Sequence, residues 1–268
     1  MSAPTLTSAV ATRPVSAPEL TVGTPAAAAL TAALTPAKGL KVGGLTPFSA
    51  TDYPGKLAAV VFVQGCPWAC SYCHNPHLQT RSANSSLDWS QILARLRRRV
   101  GLIDAVVFSG GEPTIDPALE DAMREVRALG FGVGLHTAGT YPRRLAEVLP
   151  LVDWVGIDVK ASFDRYDAIT GISDSGSPAL ASAQAVLASG VSHEFRTTVH
   201  PGLHTPENLL ALAQTLNAMG VRHYALQLFR NTGCADQSLT TVSTPGFPRA
   251  DLIARVSALF ETFTFRRE

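Results

Sequence analysis

The sequence has few cysteines and almost no net charge, and each of these properties excludes a class of protein. Only four of the 268 residues are cysteines, and three of the four are clustered, unlike the paired framework of a secreted, disulfide-stapled protein. Lys and Arg number 22 against 21 Asp and Glu, so the net charge of +1 attracts neither nucleic acid nor anionic lipid over a distance. We therefore expect a cytoplasmic protein whose recognition is local.

Long apolar runs are also missing. No stretch approaches the roughly 18 to 20 residues that a membrane span needs. The opening residues lack the charged start and apolar block of a secretory signal. The sequence therefore predicts neither a membrane-bound nor a secreted protein.

Residues 1–43 have no aromatic residue, little charge and much Ala, Pro and Thr. Such a segment buries too little apolar surface to offset the entropy of ordering it. We expect a disordered tail over residues 1–43 and a single domain over residues 44–268.

From residue 44 onward, short β-branched runs alternate with segments of helical period. Six such β-then-α units predict parallel strands joined by right-handed crossovers. Eight units would close a barrel, so six favour a partial (β/α)6 barrel, with a doubly wound sheet as the alternative. The predicted strands are LAAVVFVQ (57–64), AVVFSGG (105–111), FGVGLHT (131–137), DWVGIDVK (153–160), HEFRTTV (193–199) and HYALQLF (223–229), and a final helix is predicted over RADLIARVSALFETF (249–263).

Polar residues follow or end these strands. In both architectures ligands bind at the carboxyl ends of parallel strands, so we expect these residues to surround one site. They are the cysteine triplet, SGGEP (109–113), HTAGT (136–140), DVK (158–160), Arg196 and Arg230.

Cys66, Cys70 and Cys73 are separated by three and then two residues. Cys70 and Cys73 alone form a CxxC, which fits a redox dithiol or half of a zinc site completed by His74, His77 or Cys234. Three thiolates on a short loop can instead hold three irons of a [4Fe-4S] cube and leave the fourth iron open. The sequence favours the cube, with Cys234 as a structural thiol.

The cysteine triplet, with Tyr72 before its last member and Gly-Gly-Glu at 110–112, resembles the signature of the radical S-adenosylmethionine (SAM) superfamily. The resemblance runs from about Gly44 to Leu239. It implies a partial (β/α)6 barrel, a [4Fe-4S] cluster, and SAM chelated to the open iron by its amino and carboxylate groups.

Three further stretches resemble the activating enzymes of glycyl-radical enzymes, above all the activators of anaerobic ribonucleoside-triphosphate reductase. This implies reductive cleavage of SAM, a glycyl radical formed on a partner enzyme, and a flavodoxin or ferredoxin-type electron donor. An activator of the pyruvate formate-lyase type and an enzyme acting on a small heterocyclic metabolite remain alternatives. The stretches are GGLTPFSATDYPGKLAAVVFVQGC (43–66), YCHNP (72–76) and VGIDVKA (155–161).

The resemblance also implies roles for the Gly-Gly-Glu turn. Gly110 and Gly111 would let the backbone approach SAM without obstruction by a Cβ. Their carbonyl groups and the Glu112 carboxylate would accept hydrogen bonds from the SAM ammonium group.

The remaining SAM contacts are implied on the later strands. Asp158 and Lys160 share one face of their strand, and the resemblance pairs them with a monovalent cation and the SAM carboxylate respectively. Arg196 and Arg230 match positions near the SAM carboxylate or ribose. The formate-lyase activators have Asp-Thr-Asn-Gly where this chain has His136 to Gly139, so the cation is in question and His136 is a candidate SAM contact.

Overall fold

The structure, a computed structural model, describes residues 39–83, 85 and 87–267. Residues 1–38 of the predicted tail lie outside the described residues. Leu40 is buried and the first strand begins at Val42, so the folded part starts before the predicted boundary at residue 44. Within the described part of the chain, no helix is long and apolar enough to cross a bilayer.

In the described part of the chain, eight strands form one sheet in sequence order. β1 is antiparallel to β2, and every later pair is parallel. In the described residues no pairing joins β1 to β8, so the barrel is open, as the six predicted units implied. The strands are β1 Val42–Ser49, β2 Ala58–Val63, β3 Ala105–Gly110, β4 Gly132–Thr137, β5 Trp154–Asp158, β6 Ser192–Val199, β7 His223–Leu228 and β8 Thr262–Arg266.

Helices follow β2 to β7, which confirms the predicted α/β class. Asp88 caps α1 by accepting a hydrogen bond from the Ser90 N–H (2.7 Å). The helices are α1 Trp89–Arg97, α2 Leu119–Ala128, α3 Pro142–Val148, α4 Asp167–Thr170, α5 Gly176–Ser189, α6 Pro206–Ala218, α7 Gln237–Thr240 and α8 Ala250–Ser257.

The two edge strands were not predicted from the sequence. β1 contains two glycines and a proline, which are poor strand formers. The last predicted helix ends at Ser257, and residues 262 and 263 belong to β8 instead. The alternating TFTFR pattern suits a strand. As part of β8, Phe263 packs beside Tyr224 of β7, with ring centroids 6.3 Å apart.

Each parallel strand turns alternate side chains to the helices and to the inner face of the sheet. Ala59, Val61 and Val63 join the main core under the helices. Ala58 and Val60 point the other way, into a smaller buried cluster with residues of β3. The inner face is thus apolar near the amino ends of β2 and β3, which leaves polar chemistry to the carboxyl ends.

Candidate active site

The cysteine loop, residues 65–79, follows β2 and is held by its own backbone. The N–H of Gly65 donates to the Leu78 carbonyl (2.8 Å) and the N–H of Cys66 to the Gln79 carbonyl (2.9 Å). The three thiols are free of disulfides and line one cavity of about 180 Å³, the inner cavity. The predicted triplet therefore faces a single space.

Burial controls the protonation of Cys66 and Cys70. It raises the pKa of Cys66 to about 12, and it raises the pKa of Cys70 although the Lys160 ammonium group opposes the shift. These two thiols are therefore neutral at pH 7, and they would lose their protons on binding iron. Three thiols around one cavity suit the three protein-bound corners of a cube.

Two of the three residues that could complete a zinc site have other partners. His74 is engaged with the Arg230 carbonyl (Nε2 to O, 2.9 Å). The Cys234 sulfur lies against the Ser71 carbonyl (3.6 Å). It lines neither the inner cavity nor the larger cavity that adjoins it.

The Gly-Gly-Glu turn lies directly against the cysteine loop. Gly110 has φ +108°, and a Cβ there would come within 2.7 Å of the Val63 backbone, so only glycine fits. A Cβ on Gly111 would overlap the Gly65 carbonyl. Both glycines line the inner cavity, as expected of backbone that approaches a ligand.

Glu112 lies beside the inner cavity and is held by protein donors. Its side chain is fully buried and is absent from the lining of the inner cavity. One carboxylate oxygen accepts from the Thr114 N–H and hydroxyl and from the Thr137 hydroxyl (3.1, 2.6 and 2.8 Å), and the other accepts from the Ala138 N–H (2.8 Å). Glu112 therefore holds the ends of β3 and β4 together, and its contact with the SAM ammonium group stays a prediction.

Asp158 and Arg196 are partners on neighbouring strands. The Arg196 Nε donates to Asp158 Oδ1 at 3.0 Å. Burial would raise the pKa of Asp158, but Arg196 and Lys160 outweigh it and hold that pKa below its ordinary value. Gly156 makes room for the pair, since a Cβ there would lie 2.7 Å from the guanidinium carbon.

His136 contacts the loop between β1 and β2. Its Nε2 lies 2.8 Å from the Asp52 carbonyl, which only accepts, and 3.3 Å from Arg196 Nη1, which only donates. The shorter contact favours the proton on Nε2. Burial, aided by Arg196, lowers the pKa of His136 to about 4. The imidazole is therefore neutral.

Lys160 is a buried cation in the wall of the inner cavity. Its Nζ lies over the Tyr72 ring, 5.3 Å from the centroid. Burial alone would lower the pKa of Lys160, but Tyr72, Cys70 and Asp158 outweigh it and keep that pKa above the ordinary value. Lys160 is thus charged and lies beside the cysteines, and its contact with the SAM carboxylate stays a prediction.

A larger outer cavity of about 760 Å³ adjoins the inner one, and the two share His74, His136, Arg196 and Thr198. Of the two cavities, Arg230 lines only the outer one. Glu194 and Arg266 form a two-bond ion pair in its wall (2.8 Å each).

Below the outer cavity, two aromatic rings cross the inner face. Trp154 lines the outer cavity, and Tyr53 stacks on it with centroids 5.3 Å apart. Tyr53 also lines a separate cavity of about 430 Å³ near the amino ends of the strands. The Tyr53–Trp154 stack therefore divides the outer cavity from that end of the barrel.

Several lining residues escaped the sequence reasoning. For the strand residues, a two-residue period is the sequence signal that could have identified them. Residues 194, 196 and 198 lie on one face of β6, and Gln227 and Arg266 are register partners on β7 and β8. The contribution of the β1–β2 loop has no such signal, because it depends on how the loop folds back. The missed residues are Ala50, Thr51, Asp52, Pro54, Trp154, Glu194, Thr198, Gln227, Leu228 and Arg266.

Comparison with known proteins agrees with this site. The sequence profile described as Radical SAM superfamily matches residues 60–216. A Methanocaldococcus jannaschii protein, provisionally named a glycyl-radical enzyme activating enzyme, is 30% identical over 216 residues, covering 76% of this chain and 86% of its own. The pyruvate formate-lyase-activating enzyme of Clostridium pasteurianum is 33% identical over 137 residues, 49% of this chain and 57% of that one.

Solved structures share the fold. Streptococcus suis SuiB bound to the precursor peptide SuiA superposes with a TM-score of 0.61 at 12% identity, over 76% of this chain and 47% of SuiB. The chain belongs to the radical SAM superfamily and, within it, to the glycyl-radical enzyme activating enzymes. It is an enzyme whose family cofactors are a [4Fe-4S] cluster and SAM, and a glycyl-radical enzyme is its partner class.

Proposed function

We propose that this enzyme generates the glycyl radical of an anaerobic ribonucleoside-triphosphate reductase. The observation that carries the proposal is the continuity of the two cavities through His136 and Arg196. The inner cavity presents the thiols, and the outer cavity leaves room for a segment of a partner. The β1–β2 loop and the HNP sequence after the cysteines support the choice of a reductase, on the resemblance described above.

Different residues of the inner cavity would bind the cluster and SAM. Cys66, Cys70 and Cys73 would hold the cluster, which supplies the electron that cleaves the SAM sulfonium bond. The glycine carbonyls at 110 and 111 would accept from the SAM ammonium group, and Lys160 would meet its carboxylate.

The other polar groups serve orientation. Arg196 is held against Asp158 and borders both cavities, which suits a contact to the ribose or carboxylate. His136 stays neutral and joins the β1–β2 loop to this wall. Arg230 borders the outer cavity, where it would meet the far end of SAM or the entering segment.

The protein on which the radical forms distinguishes the candidate functions. The enzyme, loaded with iron and sulfide under anaerobic conditions, is mixed with SAM, a low-potential reductant and either a glycyl-radical reductase or a formate-lyase-type enzyme. We expect a glycyl radical by electron paramagnetic resonance (EPR) on the reductase only, with a flavodoxin or ferredoxin able to replace the chemical reductant. The matched control is the same reductase with its radical-bearing glycine replaced by alanine.

Other outcomes are equally informative. A radical on the formate-lyase-type partner alone would assign the second candidate, which the Clostridium pasteurianum relative supports. Deoxyadenosine released with a small heterocycle and no protein partner would contradict both activator assignments.

A further inference from the structure

The cysteine loop is held from outside by the segment that follows β5. The N–H of Ala69 donates to the Thr170 carbonyl (3.0 Å), and the N–H of Ser71 donates to the Ile169 carbonyl (3.1 Å). Both donors lie among the cysteines in sequence. The single turn of α4 therefore fixes the part of the loop that presents the thiols.

Tyr166 sets this turn in place. Its carbonyl accepts the N–H groups of Ile169 and Thr170 (both 2.9 Å), and so starts the turn. Its ring packs edge-on against Trp68 of the cysteine loop, with centroids 5.7 Å apart. Tyr166 thus contacts the loop directly as well as through α4.

The hydroxyl group of Tyr166 reaches the other side of the site. It accepts a hydrogen bond from the Lys160 N–H at 2.9 Å, and the Lys160 carbonyl is held by His204 Nε2 at 2.9 Å. Tyr166 is completely buried, so no water replaces that bond. The backbone of Lys160 is consequently fixed on both sides.

We infer that Tyr166 is a positioning residue for SAM: it sets the distance between the Lys160 ammonium group and the cysteine loop. The inference rests on the proposed role of Lys160 but not on the identity of the partner. Losing the hydroxyl frees the Lys160 backbone while the aromatic packing on Trp68 stays. The effect falls on SAM binding, since the two backbone bonds to the cysteine loop are untouched.

The test is Tyr166→Phe in the full chain, loaded with iron and sulfide anaerobically. We expect wild-type iron content, a SAM dissociation constant raised roughly three- to tenfold through the lost hydrogen bond, and a weaker SAM-induced change in the EPR spectrum of the reduced cluster. Tyr224→Phe is the matched control: Tyr224 is equally buried and its hydroxyl donates to Thr197 (2.8 Å). That variant should bind SAM within twofold of wild type.

A double-mutant cycle makes the test specific. In a Lys160→Met background, Tyr166→Phe should leave the SAM dissociation constant unchanged, because no ammonium group remains to be placed. Unchanged SAM affinity in the single variant, an equal effect with and without Lys160, or loss of iron from Tyr166→Phe would each overturn the inference. All of these measurements omit the protein partner, so failure of the proposed function leaves their outcome intact.

Discussion

At the scale of single residues, we expect cluster binding to depend on Cys66, Cys70 and Cys73. Alanine at any one of them would remove a proposed ligand that no neighbouring thiol replaces, because Cys234 points to the Ser71 carbonyl. We expect each variant to lose most of its iron and all reductive cleavage of SAM, measured by iron analysis and deoxyadenosine release. Cys234→Ala, the matched control, should keep its iron, and loss of iron there would make Cys234 a ligand.

Glu112 is a buried acid that accepts hydrogen bonds from four protein donors. Glu112→Gln turns an acceptor into a donor against hydroxyl and N–H groups, so we expect a loss of about 2–3 kcal/mol in the free energy of unfolding together with weaker SAM binding. The control is Glu120→Gln, whose carboxylate pairs with Arg124 on the surface and contributes about 0.5 kcal/mol or less. Chemical denaturation measures both, and equal stabilities would contradict the positioning role.

His136 gives a pH-dependent prediction. Its pKa is about 4 in the fold against an ordinary 6.5, so between these pH values the unfolded chain binds a proton that the folded chain does not. Stability therefore falls as the pH is lowered from about 6.5 towards 4. Thermal melts at pH 7 and pH 5 should show a larger loss for wild type than for His136→Gln, and equal losses would contradict the assignment.

At the scale of elements, the packing of Arg196 on β6 against β5 requires a glycine at position 156, because any Cβ there would occupy the space of the guanidinium. Gly156→Ala pushes its Cβ into the Arg196 guanidinium and displaces Arg196 from Asp158. We expect a destabilisation of about 1–3 kcal/mol and weaker SAM binding, measured by denaturation and titration. Gly44→Ala is the control, because its Cβ would meet Phe62 at an ordinary 3.6 Å.

The parallel elements were predictable, and the edges were not. The strands β2 to β7 carry dense apolar runs with turn residues after them, so both their type and the polar residues at their ends could be identified. β8 was merged into a helix because ALFETF also fits a helical period. The orientation of Glu112 and the packing of the β1–β2 loop depend on contacts between distant residues, which no local pattern encodes.

At the scale of the whole molecule, β8 covers the edge of β7 and carries Arg266 to Glu194. A chain ending at Glu261 leaves unpaired the backbone groups of β7 that now pair with β8, and exposed edges promote aggregation. We expect that truncation to lower the melting temperature and the soluble yield. A chain ending at Arg266 keeps the strand and should behave like the full chain.

The Tyr53–Trp154 stack limits the directions from which the site can be reached. Trp154 lines the outer cavity, and Tyr53 lines the cavity at the amino ends of the strands. A small molecule arriving at the amino ends would have to displace these rings to reach the outer cavity. The reactants of the proposed reaction would instead enter from the carboxyl ends, on the same side as the partner's segment.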